Sequence, residues 1–307
     1  MTALSFKNVV KRYGPTTALD QVTFEVGRGE MFGLIGPDGA GKTTSIRLLC
    51  GLLHADAGEV RVLGADPVRE HRRVTDAVGY LSQRFSLYGD LTIDENIAFF
   101  AEIHGVSSYR ARRDALLDMT QLTPFRTRLA ARLSGGMKQK LALACTLVHQ
   151  PDVILLDEPT TGVDPVSRRE LWKLLSELLS QGITILMSTP YLDEAERCTQ
   201  VALLHEGRLL AMDAPARLRT LMPGRMLEIV AGPTRRLLEL LRQRPGVHDA
   251  QVFGERVHVR LQDASEDTLA RFMASLPGTP LEGASVRTVP PSLEDVFIAQ
   301  LAGEAGR

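Results

Sequence analysis

Nine consecutive residues combine the backbone freedom and the side chains that phosphate binding requires. They match the pattern G-x-x-x-x-G-K-[ST] and are Gly36, Pro37, Asp38, Gly39, Ala40, Gly41, Lys42, Thr43 and Thr44. The glycines permit close approach of the backbone, so successive N–H groups can converge on phosphate oxygens at a helix N-terminus. Lys42 is expected to reach the β- and γ-phosphates, and the Thr43 hydroxyl to hold Mg²⁺. The alternative is a glycine-rich strand-to-helix turn with an incidental lysine.

Two carboxylates, Asp157 and Glu158, follow four consecutive apolar residues at 153–156. Such a run indicates a strand of a parallel sheet that is buried on both faces, and open α/β sheets bind ligands at the carboxyl ends of their strands. Asp157 suits a Mg²⁺ ligand, usually through water. Glu158 suits polarising a water for attack on phosphorus. Two structural carboxylates at a strand end are the alternative, which would leave the glycine-rich stretch without a metal partner.

A second helix start with anion-binding character follows Leu133. Ser134, Gly135, Gly136 and Met137 open an apolar helix, where a capping hydroxyl and free N–H groups meet the positive end of the helix. A plain helix cap explains the same residues.

Two further residues stand where strands end. Tyr13 precedes a Gly-Pro turn and could stack on a base, or could be a half-buried strand residue. Gln83 ends a short strand that begins at Val78.

The surrounding pattern predicts the elements that position these groups. Apolar residues 31–35 predict a strand entering the glycine-rich stretch, and residues 44–53 predict a helix leaving it. Residues 84–150 read as a helical subdomain, with a capping box from Thr92 to Glu95. Further strands are predicted at 58–63, 182–188, 201–204 and 208–211. The fold class is therefore α/β, of the P-loop NTPase type, over residues 1–220.

Residues 221–307 form a separate predicted domain. Strands at 226–230, 250–253, 256–261 and 284–289 and helices at 234–244 and 265–276 give the order β-α-β-β-α-β, which is ferredoxin-like α+β. Asp263 with Glu266 is expected to cap the second helix, and Ser292 with Asp295 a last one. His258, on the polar face of its strand, is expected to be solvated.

Composition narrows the class of protein. The chain has 307 residues, 44% of them apolar, enough for two domains with cores. A net charge of −1 argues against nucleic acid as a partner. Three scattered cysteines, read as core thiols, fit a reducing compartment. No apolar run approaches the roughly 18 residues of a spanning helix, so we expect a soluble, cytoplasmic protein whose membrane role comes through a partner.

In this order and spacing, the motifs resemble those of an ATP-binding cassette (ABC) ATPase. The resemblance implies that ATP and Mg²⁺ are the ligands, that Tyr13 stacks on adenine, and that Thr43, Gln83 and Asp157 serve the metal. Gln83 would link Mg²⁺ and the attacking water to the membrane subunit. In this family two cassettes close head to tail, so Ser134, Gly135 and Gly136 would touch the γ-phosphate held by a second cassette, with Asp164 at the same seam.

The resemblance is greatest to cytoplasmic ATPase subunits of ABC-2-type bacterial exporters of the multidrug and daunorubicin type, and among these to the first cassette of tandem subunits of the YbhF type. It implies a separately encoded permease that holds the chain at the inner face of the cell membrane, and an accessory role for the C-terminal domain. The chain ends about where such a tandem subunit would continue into a second cassette, which favours a heterologous partner cassette.

One departure from the family pattern bears on activity. Pro190 stands where the family has a switch histidine, and proline offers neither a polar side chain nor a backbone N–H. Asp38 and Val163 are minor departures. The alternative function is therefore a hydrolysis-poor cassette that completes a competent partner. Importer ATPases, ribosome- or DNA-associated ABC proteins and small GTPases fit the sequence less well.

Overall fold

The computed structural model describes residues 1–83, 87–220, 222–230, 234–277 and 283–305. The chain folds as two compact units, Met1–Pro215 and Ala216–Arg307, whereas the sequence placed this boundary after residue 220. The described residues of the first unit form strands β1 to β9, α-helices α1 to α7 and two short 3-10 helices, Thr123–Phe125 and Ala130–Arg132. Its last residue, Pro215, begins α8 (Pro215–Thr220). In chain order the elements of this unit are β1 Thr2–Tyr13, β2 Thr16–Gly27, β3 Met31–Ile35, α1 Lys42–Leu49, β4 Ala57–Val62, α2 His71–Ala77, β5 Val78–Leu81, α3 Ile93–Ile103, α4 Arg110–Thr120, α5 Gly135–Leu147, β6 Val153–Asp157, α6 Pro165–Ser180, β7 Thr184–Thr189, α7 Leu192–Ala195, β8 Gln200–His205 and β9 Arg208–Asp213.

A six-stranded sheet forms the centre of the first unit. Its strand order is β5-β6-β7-β3-β8-β9, and every neighbouring pair is parallel except β8 with β9. Strands β3, β6 and β7 are buried along their whole length, as expected for parallel strands that are apolar on both faces. Their carboxyl ends lie side by side, because Asp157 pairs with Ser188 and Ile35 with Thr189.

A second, antiparallel sheet of order β2-β1-β4 packs over this centre. Phe6, Phe24 and Phe32 stack in series, with ring centroids 4.5 and 5.3 Å apart. Leu48 and Leu49 of α1 belong to the same buried cluster. The helix that follows the glycine-rich stretch is therefore held by a core that both sheets share.

The predicted helical subdomain corresponds to α3, α4 and α5, while residues 84–86 lie outside the described residues. The capping box is present, since Thr92 Oγ1 accepts from Glu95 N and the Glu95 carboxylate accepts from Thr92 N. At the end of α3, the His104 ring stacks on the His149 ring, with centroids 3.9 Å apart. His149 also hydrogen-bonds Val78 O at 3.2 Å, which ties α3 to the first residue of β5.

The three cysteines are free thiols. Cys145 and Cys198 are buried, whereas Cys50 is partly exposed. Burial, with a smaller contribution from the Glu194 charge, raises the pKa of the Cys198 thiol to about 12.

The second unit contains most of α8, followed by β10 Met226–Val230, α9 Thr234–Arg242, β11 Val247–Phe253, β12 Arg256–Leu261, α10 Glu266–Ala274, β13 Ser285–Thr288 and α11 Leu293–Ala305. The four strands form an antiparallel sheet of order β11-β12-β10-β13. Leu227, Val257, Val259 and Phe272 belong to its buried cluster.

Two predictions for the second unit are wrong. Ser265, not Asp263, caps α10 by accepting from Thr268 N, and Asp263 instead accepts from Ser265 N and from Thr268 Oγ1. His258 is not solvated. Its side chain is 14% exposed, it lies 3.0 Å from Asp295 of α11, and its ring stacks on that of Phe253. The polar face of β12 is thus covered by the last helix, whose predicted cap is present between Ser292 and Asp295.

Across the described parts of the chain, no helix combines the length and the apolar character that crossing a membrane requires.

Candidate functional site

The glycine-rich stretch connects the end of β3 to the start of α1, at the carboxyl edge of the central sheet. Gly41, with φ of 103°, stands at the N-cap of α1. A Cβ there would lie 2.6 Å from Ala18 O, and a Cβ at Gly36 would overlap Leu204 O. Glycine is therefore required at both positions by close approach of neighbouring backbone. The result is a tight loop whose backbone leads directly into a helix N-terminus.

Lys42 begins α1 and folds back over this loop. Its ammonium group donates to Gly36 O at 2.8 Å and to Pro37 O at 3.0 Å, and it lies 3.3 Å from Glu158 Oε1. The Lys42 and Glu158 side chains are 4% and 8% exposed. A buried cation at a helix start, beside free backbone N–H groups, suits an anion with several oxygens.

Strand β6 ends at Asp157, which lies beside the start of α1. Asp157 Oδ1 accepts a hydrogen bond from Thr43 Oγ1 at 3.0 Å and another from Ser188 Oγ at 2.7 Å. One hydroxyl thus comes from the start of α1, and the other from the neighbouring strand β7. Neither uses Oδ2 of the carboxylate.

Glu158 follows immediately and has an unusual backbone. Its φ is 50°, in the left-handed region, which costs a residue with a side chain about 1–3 kcal/mol. Its N–H is held by Ser188 O at 3.2 Å and Ser188 Oγ at 3.0 Å. On the carboxylate, Oε2 accepts from Gln83 Nε2 at 2.9 Å and from Thr161 Oγ1 at 3.3 Å. The strained turn aims this carboxylate back at Lys42.

Lys42, Thr43, Gln83 and Glu158 line an open cleft of about 670 Å³. Gly36, Pro37 and Asp157 are not among its described lining residues. Its described lining contains nine of the predicted site residues and four residues that the sequence analysis did not single out. Its described lining residues are Thr16, Thr17, Ala18, Asp38, Gly39, Ala40, Gly41, Lys42, Thr43, Thr44, Gln83, Glu158 and Glu206. Residues 16–18 follow the turn after Tyr13. That turn is the sequence feature that could have indicated their place in the cleft. Glu206 lies in the turn between β8 and β9, which falls between the strands predicted at 201–204 and 208–211.

Tyr13 lies at the end of β1 with 44% of its surface exposed. It is not among the described residues that line the cleft. The Lys11 ammonium group lies 5.7 Å from its ring centroid.

The donor set fits a magnesium nucleotide. Among the described residues, no group of three or more His, Cys, Asp or Glu side chains could hold a metal. A single carboxylate beside a hydroxyl is nevertheless what Mg²⁺ uses when phosphates and waters complete its shell. Thr43 and Asp157 supply that pair.

The other predicted glycine-rich helix start lies apart from this cleft. Ser134 caps α5 by accepting from Met137 N at 3.3 Å, Leu133 is buried and Gly135 is exposed. Asp164 caps α6 by accepting from Val166 N and Ser167 N, each at 3.0 Å. A hydrogen bond from the Ser167 side chain, together with those from the Ser167 and Val166 N–H groups, lowers the pKa of the Asp164 carboxyl. Residues 133–137 and Asp164 are absent from the described lining of the cleft.

Gly136 nevertheless joins these two helix starts to each other. A Cβ at Gly136 would overlap the Ser167 side chain. The N-termini of α5 and α6 are therefore in direct contact.

Pro190 follows β7, two residues beyond Ser188. The polar side chains next to it are engaged locally. Thr189 Oγ1 accepts from Tyr191 N at 3.0 Å. The Tyr191 ring packs against the Arg168 guanidinium, 5.0 Å from its centroid. Position 190, directly after β7, thus has no imidazole, and neither neighbouring side chain supplies one.

In the central sheet, the loop after β3 leads into Lys42 and Thr43 at the start of α1. Strand β6, which β7 separates from β3, ends at Asp157 just before Glu158. This arrangement defines a P-loop nucleotide-binding domain. Residues 19–161 match the family model described as ABC transporter. The chain belongs to the family of ABC transporter ATP-binding proteins, whose cassettes couple ATP hydrolysis to transport.

Relatives of this chain include bacterial transport proteins. The chain is 44% identical over 281 residues to "Probable multidrug ABC transporter ATP-binding protein YbhF" of Escherichia coli (strain K12), covering 90% of this chain and 47% of that protein. It therefore spans about half the length of this relative. It is 38% identical over 304 residues to "Nod factor export ATP-binding protein I" of Paraburkholderia xenovorans (strain LB400), covering 96% of each.

Solved structures show the same cassette. An ATP-binding subunit of an ABC transporter is 32% identical, with a TM-score of 0.65, covering 71% of this chain and 92% of that one. A bacterial ABC transporter cassette with a dimeric structure is 27% identical, with a TM-score of 0.61, covering 69% and 98%.

Proposed function

We propose that this chain is the ATP-binding and ATP-hydrolysing subunit of an ABC exporter and that it drives a separately encoded ABC-2-type permease. The observation that carries the proposal is the convergence of Lys42, Thr43, Asp157, Glu158 and Gln83 on one cleft. We infer export as the direction of transport from the similarity to the multidrug and Nod factor export proteins. In this role the chain is held at the inner face of the cell membrane by its permease.

Each group has a separate task in this proposal. The loop from Gly36 to Thr44 binds the triphosphate through N–H groups, and Lys42 neutralises phosphate oxygens. Thr43 and Asp157 hold Mg²⁺ together with Gln83, and the metal supplies electrostatic stabilisation of the charge that develops on the phosphates. Tyr13, at the exposed end of β1, stacks on adenine by rotating over the cleft.

Glu158 is the general base. Its carboxylate must accept a proton from the attacking water, so it cannot remain engaged with Lys42. Phosphate oxygens offer Lys42 a stronger partner, because they carry more negative charge than one carboxylate. Nucleotide binding therefore releases Glu158 Oε1, while Gln83 keeps hold of Oε2 and orients the carboxylate toward water.

A second cassette completes the site. Ser134 and Gly135 are exposed at a helix start outside the cleft, and Gly136 follows them, buried against α6. An exposed start is what we expect if these residues serve a γ-phosphate bound by a partner. Asp164 lies at the same seam. The partner is a homologous cassette or a second copy of this chain.

A hydrolysis-poor cassette is the second candidate, and Pro190 is the observation that favours it. In that case ATP binds and closes the pair, while the competent site lies on the partner cassette. Glu158 argues against complete inactivity, because its carboxylate lies in the cleft.

The second unit is proposed to be a ferredoxin-like accessory domain for assembly or regulation. The antiparallel order β11-β12-β10-β13, with β-α-β-β-α-β along the chain, supports this assignment.

The test is direct measurement on the purified full chain. Calorimetry should detect ATP binding that strengthens with Mg²⁺, and steady-state assays should detect phosphate release that Glu158→Gln abolishes. Purification from membranes, followed by identification of every bound chain, should recover a permease and reveal the partner cassette. Absence of ATP binding would refute the proposal; binding without hydrolysis would support the second candidate.

A further inference from the structure

Ser188 contacts the Asp157 carboxylate and the Glu158 backbone, and it has no role in the functions assigned so far. It is on β7, its exposure is 0%, and it pairs in register with Asp157 of β6. Its hydroxyl lies 2.7 Å from Asp157 Oδ1 and 3.0 Å from Glu158 N. One buried hydroxyl therefore contacts both residues.

The direction of both hydrogen bonds is fixed by chemistry. A backbone N–H can only donate, so the Ser188 oxygen accepts from Glu158. An ionised carboxylate can only accept, so the Ser188 proton goes to Asp157. The hydroxyl has one proton and is thereby committed, with no freedom to rotate to another partner.

This arrangement constrains both functional groups. Asp157 Oδ1 is held between Thr43 Oγ1 and Ser188 Oγ, which sets the carboxylate plane and the direction of Oδ2. Glu158 is held in its left-handed backbone conformation by the carbonyl and the hydroxyl of the same serine. Partners that orient a metal-binding carboxylate affect metal affinity although they never touch the metal.

We propose that Ser188 is a positioning residue that sets the Mg²⁺ affinity of the nucleotide complex through Asp157 and fixes the approach of Glu158 through its backbone. The inference rests on the proposed function, since it needs a site that binds Mg·ATP. It assigns to Ser188 a role in metal binding distinct from any role in binding the nucleotide itself.

The test compares binding of a non-hydrolysable ATP analogue with Mg²⁺ and with EDTA, by calorimetry. Ser188→Ala should leave the affinity in EDTA unchanged, because the phosphate-binding loop is intact. It should weaken Mg²⁺ binding to the analogue complex by about 10- to 100-fold, the usual effect of losing such a partner. Ser188→Thr, which keeps the hydroxyl, should retain the wild-type Mg²⁺ affinity.

A matched control is available on the same strand. Thr184 is also buried, and its hydroxyl accepts from Gly29 N at 3.0 Å, at the opposite end of β7 from Ser188. Thr184→Val removes a buried hydroxyl and should leave the Mg²⁺ affinity of the analogue complex at its wild-type value. If Ser188→Ala does not fold, Ser188→Cys takes its place, since it keeps the volume but offers only a weak hydrogen-bonding thiol.

The outcomes are separable. Wild-type Mg²⁺ affinity in Ser188→Ala, or equal losses in Ser188→Ala and Thr184→Val, would overturn the inference and leave the proposed function standing. A Ser188→Thr variant as weak as Ser188→Ala would also overturn it. Failure of the wild-type chain to bind the analogue under either condition would refute the proposed function and, with it, the role of Ser188.

Discussion

The Lys42 ammonium group and Glu158 Oε1 lie 3.3 Å apart in a nearly buried ion pair. The cation that binds phosphate and the carboxylate that would activate water therefore neutralise each other in this arrangement. Both charges are taken from water, so removing either partner leaves the other buried and uncompensated.

Lys42→Ala is expected to weaken ATP binding at least tenfold. Loss of a buried, hydrogen-bonded charge partner costs roughly 2–5 kcal/mol, and each 1.4 kcal/mol is about tenfold in affinity. Calorimetric titration with ATP measures the change. Lys140→Ala is the matched control, because Lys140 also forms an ion pair, 2.8 Å from Glu170, but is absent from the described lining of the cleft. Unchanged affinity in Lys42→Ala would contradict the phosphate-binding role.

Pro190→His is expected to raise ATP turnover. One preorganised polar group at a reacting phosphate is worth about 10²–10³-fold in rate, and proline supplies no such group. Phosphate release under saturating Mg·ATP measures the gain. Pro190→Ala separates removal of the ring from addition of an imidazole and should stay as slow as wild type. Rapid ATP turnover by the wild-type chain, abolished in Glu158→Gln, would contradict this expectation. It would show that the chain is a self-sufficient ATPase without a histidine at position 190.

Acid is expected to destabilise the cassette through His149. Burial, with the neighbouring His104, lowers the pKa of His149 from 6.5 to about 4. Between these values the unfolded chain binds a proton that the folded chain does not, so stability falls as the pH drops from about 6.5 toward 4. Its Nδ1 is buried and has no partner among the described residues, so a second proton there has no acceptor.

Melting temperatures across that pH window measure this contribution. His149→Gln removes the titrating group while keeping a donor for Val78 O, so its melting temperature should depend less on pH than that of wild type. Equal slopes for the two proteins would assign the acid sensitivity to other residues.

A chain ending at Thr220, the last residue of α8, is expected to bind ATP with wild-type affinity. All described residues that line the cleft lie within the first unit, and the second unit has a buried cluster of its own. A unit with its own core can fold independently. Calorimetry and thermal unfolding of the shortened chain test this expectation; insolubility or lost binding would make the second unit part of the cassette core.

The residues of the cleft were predictable wherever their signal was local. The loop before Lys42 and the carboxylates after residue 156 could be predicted from adjacent residues. Glycines at fixed spacing indicate the loop, and the apolar run at 153–156 indicates the buried strand. Ser188 carried no such signal. Its partners are 30 and 31 residues away in sequence, and only the register of β6 with β7 brings them together.

The errors in the second unit have the same origin. Alternation in β12 correctly indicated that Val257 and Val259 are buried, but it could not indicate that α11 covers the opposite face and contacts His258. Asp263 and Ser265 are both good caps two residues apart, and propensity does not choose between them. The hydrogen bond from Thr268 N to Ser265 Oγ decides the choice in the folded chain.

The contact between Gly136 and Ser167 limits which sequences can occupy this fold. Any side chain at position 136 would overlap Ser167 at the junction of α5 and α6, so a library randomised at this codon should return glycine among folded clones. Larger residues should be recovered only when helix α6 is allowed to shift. Since Asp164 begins that helix, such a shift would move Asp164 away from the start of α5. Selection for folding alone would thus keep residues 134–136 and Asp164 at a fixed separation, before any nucleotide is bound.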